Sequence, residues 1–302
     1  MKRLLTMMLL VLLPTMMMAQ RQGGEVRRPQ KKENSSQVKS RKSTKSFDTR
    51  PISDEIVTVK GISFRMIGVQ GGIITIGGTL EQKTNFNGDG DGYAGVGPKV
   101  KVAISSFRMA ETELTQDLWE AVMGTNPSPV KGAKYPVTNV SWDDFLTFMK
   151  RLKTLTGKNF RYPTDAEWEY AARGGQKSQH FIFSGSNNID EVGWHWQSDN
   201  IQLHEVAQKR PNELGFYDMS GNVWEWCSDD MDVEHLLEKF ANNTEPLVNP
   251  SCPPKRTKTY SGSFVKRGGG ATWNDGIAYQ KVSYRSWNGD SAQPTVGVRL
   301  VY

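Results

Sequence analysis

Cysteine and histidine are scarce in this chain. Only two of its 302 residues are cysteines, Cys227 and Cys252, and only four are histidines. Two cysteines cannot form a disulfide scaffold, so packing must hold the fold together, and whether the two pair with each other stays open. The histidines show neither the H-x-x-x-H nor the H-E-x-x-H spacing, so zinc and non-haem iron have no local signature here.

Long apolar runs are also missing beyond the N-terminus. Residues 1–19 combine Lys2 and Arg3 with an apolar stretch that Pro14 interrupts and Ala19 ends. Because this stretch is shorter than the roughly 20 residues of a membrane span, it predicts a cleaved signal peptide, with an uncleaved anchor as the alternative. We therefore expect an exported protein of the periplasm, cell envelope or extracellular space, without a stable membrane span after cleavage.

Acidic residues are scarce only in the N-terminal part. The formal net charge is +6, of which residues 1–19 contribute +2 and residues 20–50 contribute +7, which leaves −3 for residues 51–302. A mildly acidic folded part gives no electrostatic reason to expect nucleic-acid binding. Residues 20–50 are too polar to bury a core, which predicts a disordered basic linker, either simply solvated or tethering the protein to an acidic surface.

The remaining part, residues 51–302, has the length of one large domain or of two tightly fused ones. Runs of β-branched residues separated by glycine predict a meander of short antiparallel strands at residues 56–59, 61–69 and 73–78, and a further strand is predicted at residues 100–107. Beyond residue 176 the regular periodicity fades, and only three more strands are predicted, at residues 223–227, 264–267 and 296–302.

Three helices are predicted from their capping residues. Thr115, Ser141 and Thr164 can each cap a helix N-terminus, and glycines at 124, 157 and 174–175 can end the three helices. Asp165 and Glu167, in the third helix, are explained by the helix dipole and by capping, without acid–base chemistry. The second helix has apolar residues at spacings of three and four, namely Phe145, Phe148, Met149, Leu152 and Leu155.

Two segments are rich in oxygen ligands. Residues 87–92 read N-G-D-G-D-G, which favours a flexible surface turn, since no glutamate follows at the spacing of an EF-hand loop. Asn222 and Glu225 lie on or beside a strand whose tryptophans, Trp224 and Trp226, point to the core. A carboxylate between two indoles needs a partner, and the residues alone leave Ca²⁺ and an arginine equally open.

Seven blocks of sequence follow one another between about residues 59 and 301. They include RYPTDAEWEYAARGG at 161–175, PNELGFYDMSGNVWEWCSD at 211–229 and KRGGG at 266–270. In their residues and in their order along the chain, these blocks resemble the formylglycine-generating enzyme family, also called the sulfatase-modifying factor family. The resemblance implies a mixed α/β domain with little regular secondary structure, related to C-type-lectin-like folds. It also implies calcium bound by the side chains of Asn222 and Glu225 and by the carbonyls of Gly221 and Val223.

The same resemblance implies chemistry that this chain lacks the residues for. Enzymes of the family use two cysteines after the arginine-glycine-glycine element to bind copper and to oxidise a sulfatase cysteine to formylglycine. Here those positions fall near Trp273 and Ala278, and no cysteine follows Cys252. Because Cu(I) needs thiolate or thioether ligands, we expect no copper and assign no catalytic residue. The expected protein is a pseudoenzyme, and the alternative is an oxidoreductase of the formylglycine-generating type with an altered active site.

The C-terminal segment carries the residue types of a recognition surface. In lectin-like members of the fold this segment displays a ligand-binding face, which implies binding by Trp273, Asn274, Tyr279, Arg285 and Trp287. A packed, inert C-terminal core is the alternative. The expected function is therefore a binding or envelope-assembly module, whose partner is an envelope protein or a glycan.

Overall fold

Three small β-sheets organise the chain. The computed structural model describes residues 46–78, 97–196, 203–255, 262–271 and 276–302, all within one unit, Lys45–Tyr302. Short strands and short helices are mixed along these residues, and long loops connect them. The fold is therefore of the mixed α/β class with little regular secondary structure that the sequence predicted.

The strands and helices have the following bounds. The strands are β1 (Glu55–Val59), β2 (Ile62–Val69), β3 (Gly72–Ile76), β4 (Val100–Ile104), β5 (Phe107–Ala110), β6 (Trp224–Asp230), β7 (Leu247–Val248), β8 (Phe264–Arg267), β9 (Ser286–Asn288) and β10 (Val296–Val298). The α-helices are α1 (Gln116–Met123), α2 (Trp142–Thr156), α3 (Asp165–Ala172), α4 (Ile189–Val192) and α5 (Val233–Glu238). Two 3₁₀ helices cover Gly175–Lys177 and Ile277–Gln280.

The first two sheets correct the predicted meander. β1 and β2 pair antiparallel, but β2 then pairs with β5 instead of β3. β3 pairs with β4 in a second sheet, which β7 joins in parallel. The strand predicted over residues 100–107 is confirmed as far as Ile104, where the chain leaves the second sheet. Phe107 begins a separate strand in the first sheet.

The third sheet gathers segments that are far apart in the sequence. Its order is β10-β6-β8-β9, so β6 lies inside it, parallel to β10 and antiparallel to β8. Glu225 in β6 has Gly297 on one side and Arg267 on the other. The strands predicted at 223–227, 264–267 and 296–302 are confirmed as β6, β8 and β10, although β10 ends at Val298.

The three predicted helices are confirmed, and their predicted N-terminal caps are confirmed at the second and third, since the Thr115 side chain makes no capping hydrogen bond. Ser141 and Asp144 form a capping box at the start of α2, and Thr164 and Glu167 form another at the start of α3. α1 ends at Gly124, which has a left-handed backbone with φ of 80°. At α2 and α3, local hydrogen bonds of the capping box mark where the helix begins.

Stacked aromatic side chains fill the core between α2 and the third sheet. Trp142 stacks on Tyr162 and on Phe264, with ring centroids 3.8 and 3.9 Å apart, and Trp226 meets Trp142 edge-on at 6.0 Å. Leu155, in the last turn of α2, is 48% exposed. The apolar face predicted for this helix therefore ends one turn earlier than expected.

The folded part begins before the predicted boundary at residue 51. The carbonyl of Asp48 accepts a hydrogen bond from the N–H of Ser106, and the N–H of Asp48 donates to the Ser105 hydroxyl. Residues 46–50, which the sequence placed in the linker, are therefore attached to the domain. The remaining linker, the predicted signal peptide and the loop at 87–92 lie outside the described residues. Within the described ranges, no helix combines the length and the apolar character that crossing a membrane requires.

Candidate functional site

Glu225, the acidic residue that the sequence singled out, faces an arginine. Trp224 and Trp226 pack into the aromatic core, while the carboxylate of Glu225 is buried on the other face of the sheet, as strand alternation requires. Arg299 Nη2 donates to Glu225 Oε1 at 2.7 Å, and Arg299 Nε lies 3.1 Å from both carboxylate oxygens. Trp168 Nε1 donates to Oε2 at 2.7 Å. The arginine partner that the residues left open is thus present.

Two further buried carboxylates interact electrostatically with this pair. We call Glu113, Asp218 and Glu225, together with Arg299, the carboxylate cluster. Burial and repulsion from the other two acids raise the pKa of Glu113 well above its usual range. Burial raises the pKa of Asp218 to about 6. Three acids thus share one guanidinium, and Lys209 adds a second positive charge near Asp218. Protons or a bound cation would neutralise the remaining negative charge.

Asn222, predicted as a calcium ligand, connects the cluster to a neighbouring loop. Its Oδ1 accepts from the N–H of His204 at 3.0 Å, and its Nδ2 donates to Glu113 Oε2 at 2.7 Å. The side chain is therefore engaged with protein partners. Gly221 and Val223, predicted to offer their carbonyls, flank it in the chain, and the N–H of Val223 donates to Glu113 Oε1 at 3.1 Å.

Asp218 has the one oxygen of this cluster that lacks a partner in the described part of the chain. Its Oδ2 accepts from the N–H of Ala207 at 2.7 Å, while its Oδ1 is buried without a hydrogen bond. Such an oxygen beside surplus negative charge fits a hard cation. Across the described ranges, however, no three Asp, Glu, His or Cys side chains are grouped so that they could hold a metal ion. Backbone carbonyls would therefore have to complete the ligand set, as Ca²⁺ sites allow.

A second buried ion network joins α3 to β8 and to the residue that precedes β9. Arg267 Nη2 lies 2.7 Å from Glu169 Oε2, and Arg285 Nε lies 2.8 Å from Asp165 Oδ2. Arg173 Nε donates to Glu169 Oε1 at 2.8 Å. Burial opposes the ionisation of Glu169, but the three guanidiniums outweigh burial and lower its pKa to about 2. We call these three arginines and two acids the arginine cluster.

Arg285, predicted to bind a ligand, belongs to this cluster and is 1% exposed. Its Nη2 donates to Glu169 at 3.1 Å, and its Nη1 is buried without a hydrogen-bond partner among the described residues. Ligand binding by Arg285 stays a prediction, and it would require this network to open. The interpretation of Asp165 by the helix dipole alone is corrected, because its carboxylate accepts from both Arg267 and Arg285.

The other predicted ligand-binding residues lie closer to the surface or outside the described ranges. Tyr279 is half-buried and packs edge-on against Tyr284, with ring centroids 4.9 Å apart. Trp287 is half-buried in β9. Trp273 and Asn274 lie outside the described residues.

Both cysteines are free thiols. Cys227 is fully buried in β6, and burial raises the pKa of its thiol well above the usual range. Cys252 is partly exposed, and its N–H donates to the carboxylate of Asp229. Of the two positions where the resemblance placed a family cysteine, Ala278 lies in the second 3₁₀ helix and Trp273 is not described.

Sequence reasoning missed Glu113, Asp218 and Arg299. One signal was available, since Arg299 interrupts the apolar run V-G-V-R-L-V-Y at the C-terminus. A charged residue inside a buried strand requires a buried partner of opposite charge. The sequence could therefore have predicted that Arg299 is paired, but not with which acid.

Comparison with known proteins agrees with the fold. Residues 60–302 match the family of sulfatase-modifying factor enzyme 1-like domains. The chain is 39% identical over 251 residues to a protein named chaperone protein LppX from Paenibacillus barcinonensis, with 66% of this chain and 81% of that protein covered. It is 32% identical over 197 residues to the formylglycine-generating enzyme of Mus musculus, with 60% of this chain covered. It spans about half the length of that enzyme, 48%.

A solved structure shares the same architecture. Treponema denticola variable protein 1 superposes with a TM-score of 0.65 at 26% sequence identity, over 83% of this chain and 99% of that one. Together with the match over residues 60–302, this similarity confirms the fold that the sequence blocks implied.

Proposed function

We infer a function from the fact that this chain belongs to the sulfatase-modifying factor enzyme 1-like domain family. We propose that it is an exported, non-catalytic binding or envelope-assembly module. The observation that carries this proposal is the position of its cysteines. Both lie before residue 253, and none follows the arginine-glycine-glycine element. The chain therefore keeps the family's fold without the residues of the family's oxidation chemistry.

The cysteines that are present are poorly suited to replace the missing pair. Cu(I) is bound by thiolates, and a thiol that is buried in apolar surroundings stays protonated and unreactive. Cys227 is in this situation, since it is fully buried and the pKa of its thiol is raised. An oxidoreductase with an altered active site remains the second candidate, because the mouse relative carries the name of an active enzyme.

The partner is proposed to be an envelope protein, with a glycan as the alternative. A relative that shares 39% identity is named a chaperone protein, which favours contact with another polypeptide over a small substrate. Tyr279 and Trp287 offer half-buried aromatic surface in the C-terminal segment. Aromatic residues of this kind contribute most of the binding energy at many protein interfaces.

If the chain is non-catalytic, the purified full chain should not bind Cu(I) stoichiometrically, because it lacks a surface pair of thiolates. For the same reason it should not consume oxygen in the presence of a cysteine-containing peptide. Competition with a Cu(I) chelator and an oxygen electrode measure the two quantities. The matched control is Cys227→Ser/Cys252→Ser, which should behave like the unmodified chain. Stoichiometric copper binding that this double variant loses would favour the altered enzyme.

The binding part of the same proposal is tested by cross-linking in a cell-envelope fraction. The full chain should capture one partner, and Trp287→Ala should lose it. Trp196→Ala is the matched control, since Trp196 is 36% exposed and lies outside the C-terminal segment. Equal loss in both variants, or capture of nothing on envelope fractions and glycan arrays, would contradict a binding role for this segment.

We further propose that a structural calcium ion stabilises the carboxylate cluster. Of the predicted ligands, the carbonyls of Gly221 and Val223 would hold it. The Asp218 carboxylate would replace the side chains of Asn222 and Glu225, which are engaged by protein partners. Glu113 and Glu225 would contribute negative charge. Two observations support this, namely the surplus of buried acid and the buried Asp218 oxygen that lacks a hydrogen bond in the described structure. The ion would neutralise charge that is otherwise costly to bury.

Chelation is therefore expected to lower the melting temperature. At a calcium concentration of one hundred times Kd, binding stabilises by about 2.7 kcal/mol, equivalent to roughly 5–10 °C for a domain of this size. Asp218→Asn should abolish the difference between calcium and chelator, whereas Asp190→Asn, at an exposed acid, should keep it. A melting temperature that does not respond to chelation would exclude a stabilising calcium ion.

A further inference from the structure

A polar cavity lies apart from the C-terminal segment, between the second sheet and the chain that follows α3. Its volume is about 580 Å³, within the range of sites for small organic ligands. No carboxylate is among its described lining residues. Its polar lining is basic or neutral, and consists of Lys99, Lys101, Arg173, Gln176, Ser178 and His180, besides Thr75.

Arg173 is held in place at the wall of this cavity. Its Nε donates to Glu169 Oε1 at 2.8 Å, and its Nη2 donates to the Gly77 carbonyl at 2.8 Å. Its side chain is 13% exposed, so the guanidinium is almost buried yet reaches the cavity. A charged group that is fixed before a ligand arrives loses little entropy on binding.

The arginine cluster has a surplus of positive charge that emerges at this point. Among the described residues, Arg173, Arg267 and Arg285 form their ion pairs with two acids, Asp165 and Glu169. Arg267 and Arg285 are at most 1% exposed, so Arg173 is the member of the cluster that reaches solvent. Two further acids lie nearby. Asp229 accepts from the N–H of Asp165, at the opposite end of α3 from Arg173. The carboxylate of Glu213 lies beside Gly174 and accepts from the N–H of Gln179 at 3.0 Å.

Two lysines add to the positive charge that lines this cavity. Lys99 precedes β4 and Lys101 lies in it, and both are exposed side chains that line the cavity. With Arg173 they place three permanent positive charges around one polar space. Converging cations with low-dielectric walls concentrate anions, and arginine suits the oxygens of phosphate-type groups.

We propose that this cavity binds a sulfate or phosphate group, with Arg173 as its fixed anchor and Lys99 and Lys101 as its mobile cations. All three cations attract the bound anion at once. Because this attraction grows with the charge of the anion, it is stronger for a doubly charged oxyanion than for a singly charged carboxylate. The volume leaves room for a sugar-sized group that carries the anion. This site shares no residue with the proposed partner-binding surface or with the carboxylate cluster, so it can be tested independently of both.

The proposal is tested by calorimetric titration of the full chain with inorganic sulfate and inorganic phosphate, at constant ionic strength balanced with chloride. We expect saturable binding, which Lys99→Glu/Lys101→Glu weakens by at least about tenfold, because this change replaces attraction by repulsion. The matched control is Lys150→Glu/Lys153→Glu, which makes the same change in charge at two exposed lysines of α2.

The outcomes separate the possible ligands. Tighter binding of glucose 6-phosphate or glucose 6-sulfate than of the inorganic ions identifies an ester on a small molecule, and equal binding identifies the free ion; both support the site. The proposal is overturned by the absence of saturable binding, by equal weakening in the control variant, or by acetate binding as tightly as sulfate. Because all four lysines are exposed, the variants should fold, which circular dichroism verifies.

Discussion

Replacing Arg299 by methionine is expected to lower the free energy of unfolding by about 3–5 kcal/mol, because it leaves a buried carboxylate without its charge partner. Arg299 is fully buried and forms a bidentate pair with Glu225. Its remaining N–H groups donate to the carbonyls of Ala110, Glu111 and Tyr217 at 3.1, 2.8 and 2.8 Å. The guanidinium thus joins the end of β5, the loop before β6 and the strand β6 itself.

Urea unfolding of the single variant and of two controls measures this effect. Arg210→Met removes the exposed ion pair between Arg210 and Glu191, whose side chains are 55% and 45% accessible. Its free energy of unfolding should fall by less than about 1 kcal/mol. Arg299→Met/Glu225→Gln should recover part of the loss, since the carboxylate that pairs directly with Arg299 is then removed as well, while Glu113 and Asp218 remain. If Arg299→Met is as stable as Arg210→Met, the buried pair does not hold the third sheet together.

The helices could be predicted from the sequence because their signals are local. A capping box needs only residues three apart, as in Ser141 with Asp144, and a left-handed glycine ends α1 at Gly124. The short helices α4 and α5 escaped prediction because four and six residues are too few to show the apolar repeat by which a helix is recognised.

The sheets could not be predicted in the same way, since strand pairing joins distant segments. β6 lies between β10 and β8, and no local pattern specifies either neighbour. The β-branched runs and the glycines between them predict strands and turns, and a meander follows only if consecutive strands pair, as they usually do. Here β2 pairs with β5, and the second sheet takes β7 from residues 247–248.

The candidate site shows the same limit in its chemistry. The sequence indicated that the carboxylate of Glu225 needs a partner, and this followed from the two flanking tryptophans alone. Which partner it has depends on Arg299, 74 residues away along the chain. Arg285 looked like a surface residue among aromatic neighbours, but two acids on α3 hold it inside. Residue types indicated that charges had to be buried together, and only the fold determines how they are grouped.

Gly221 lies where both the backbone conformation and a close approach of another chain segment require glycine, and the sequence alone does not show why. Its φ is 109°, and a Cβ at this position would lie 1.9 Å from the carbonyl oxygen of Trp194. The N–H of Asn222 donates to that same oxygen at 2.9 Å. On the facing segment, a Cβ on Gly193 would lie 1.7 Å from the carbonyl oxygen of Ser220. Two chain segments therefore cross in backbone contact, next to the carboxylate cluster.

Gly221→Ala is therefore expected to lower the free energy of unfolding by about 4 kcal/mol or more. It adds about 1–2 kcal/mol of left-handed backbone strain to an overlap with backbone atoms, which cannot rotate away as a side chain can. Denaturant unfolding gives the magnitude. Near-ultraviolet circular dichroism reports the location, because Trp194 stacks on His204 with ring centroids 3.6 Å apart and would be displaced.

Gly124→Ala separates the two contributions. Gly124 also has a left-handed backbone, with φ of 80°, but a Cβ there meets no atom within 4 Å, so only the strain of about 1–2 kcal/mol is expected. The difference between the two variants then measures the backbone crossing itself. Equal losses of unfolding free energy in the two variants would mean that the segments at Gly193 and Gly221 can separate freely. The backbone of Asn222 and Val223, beside the carboxylate cluster, would then not depend on this crossing for its position.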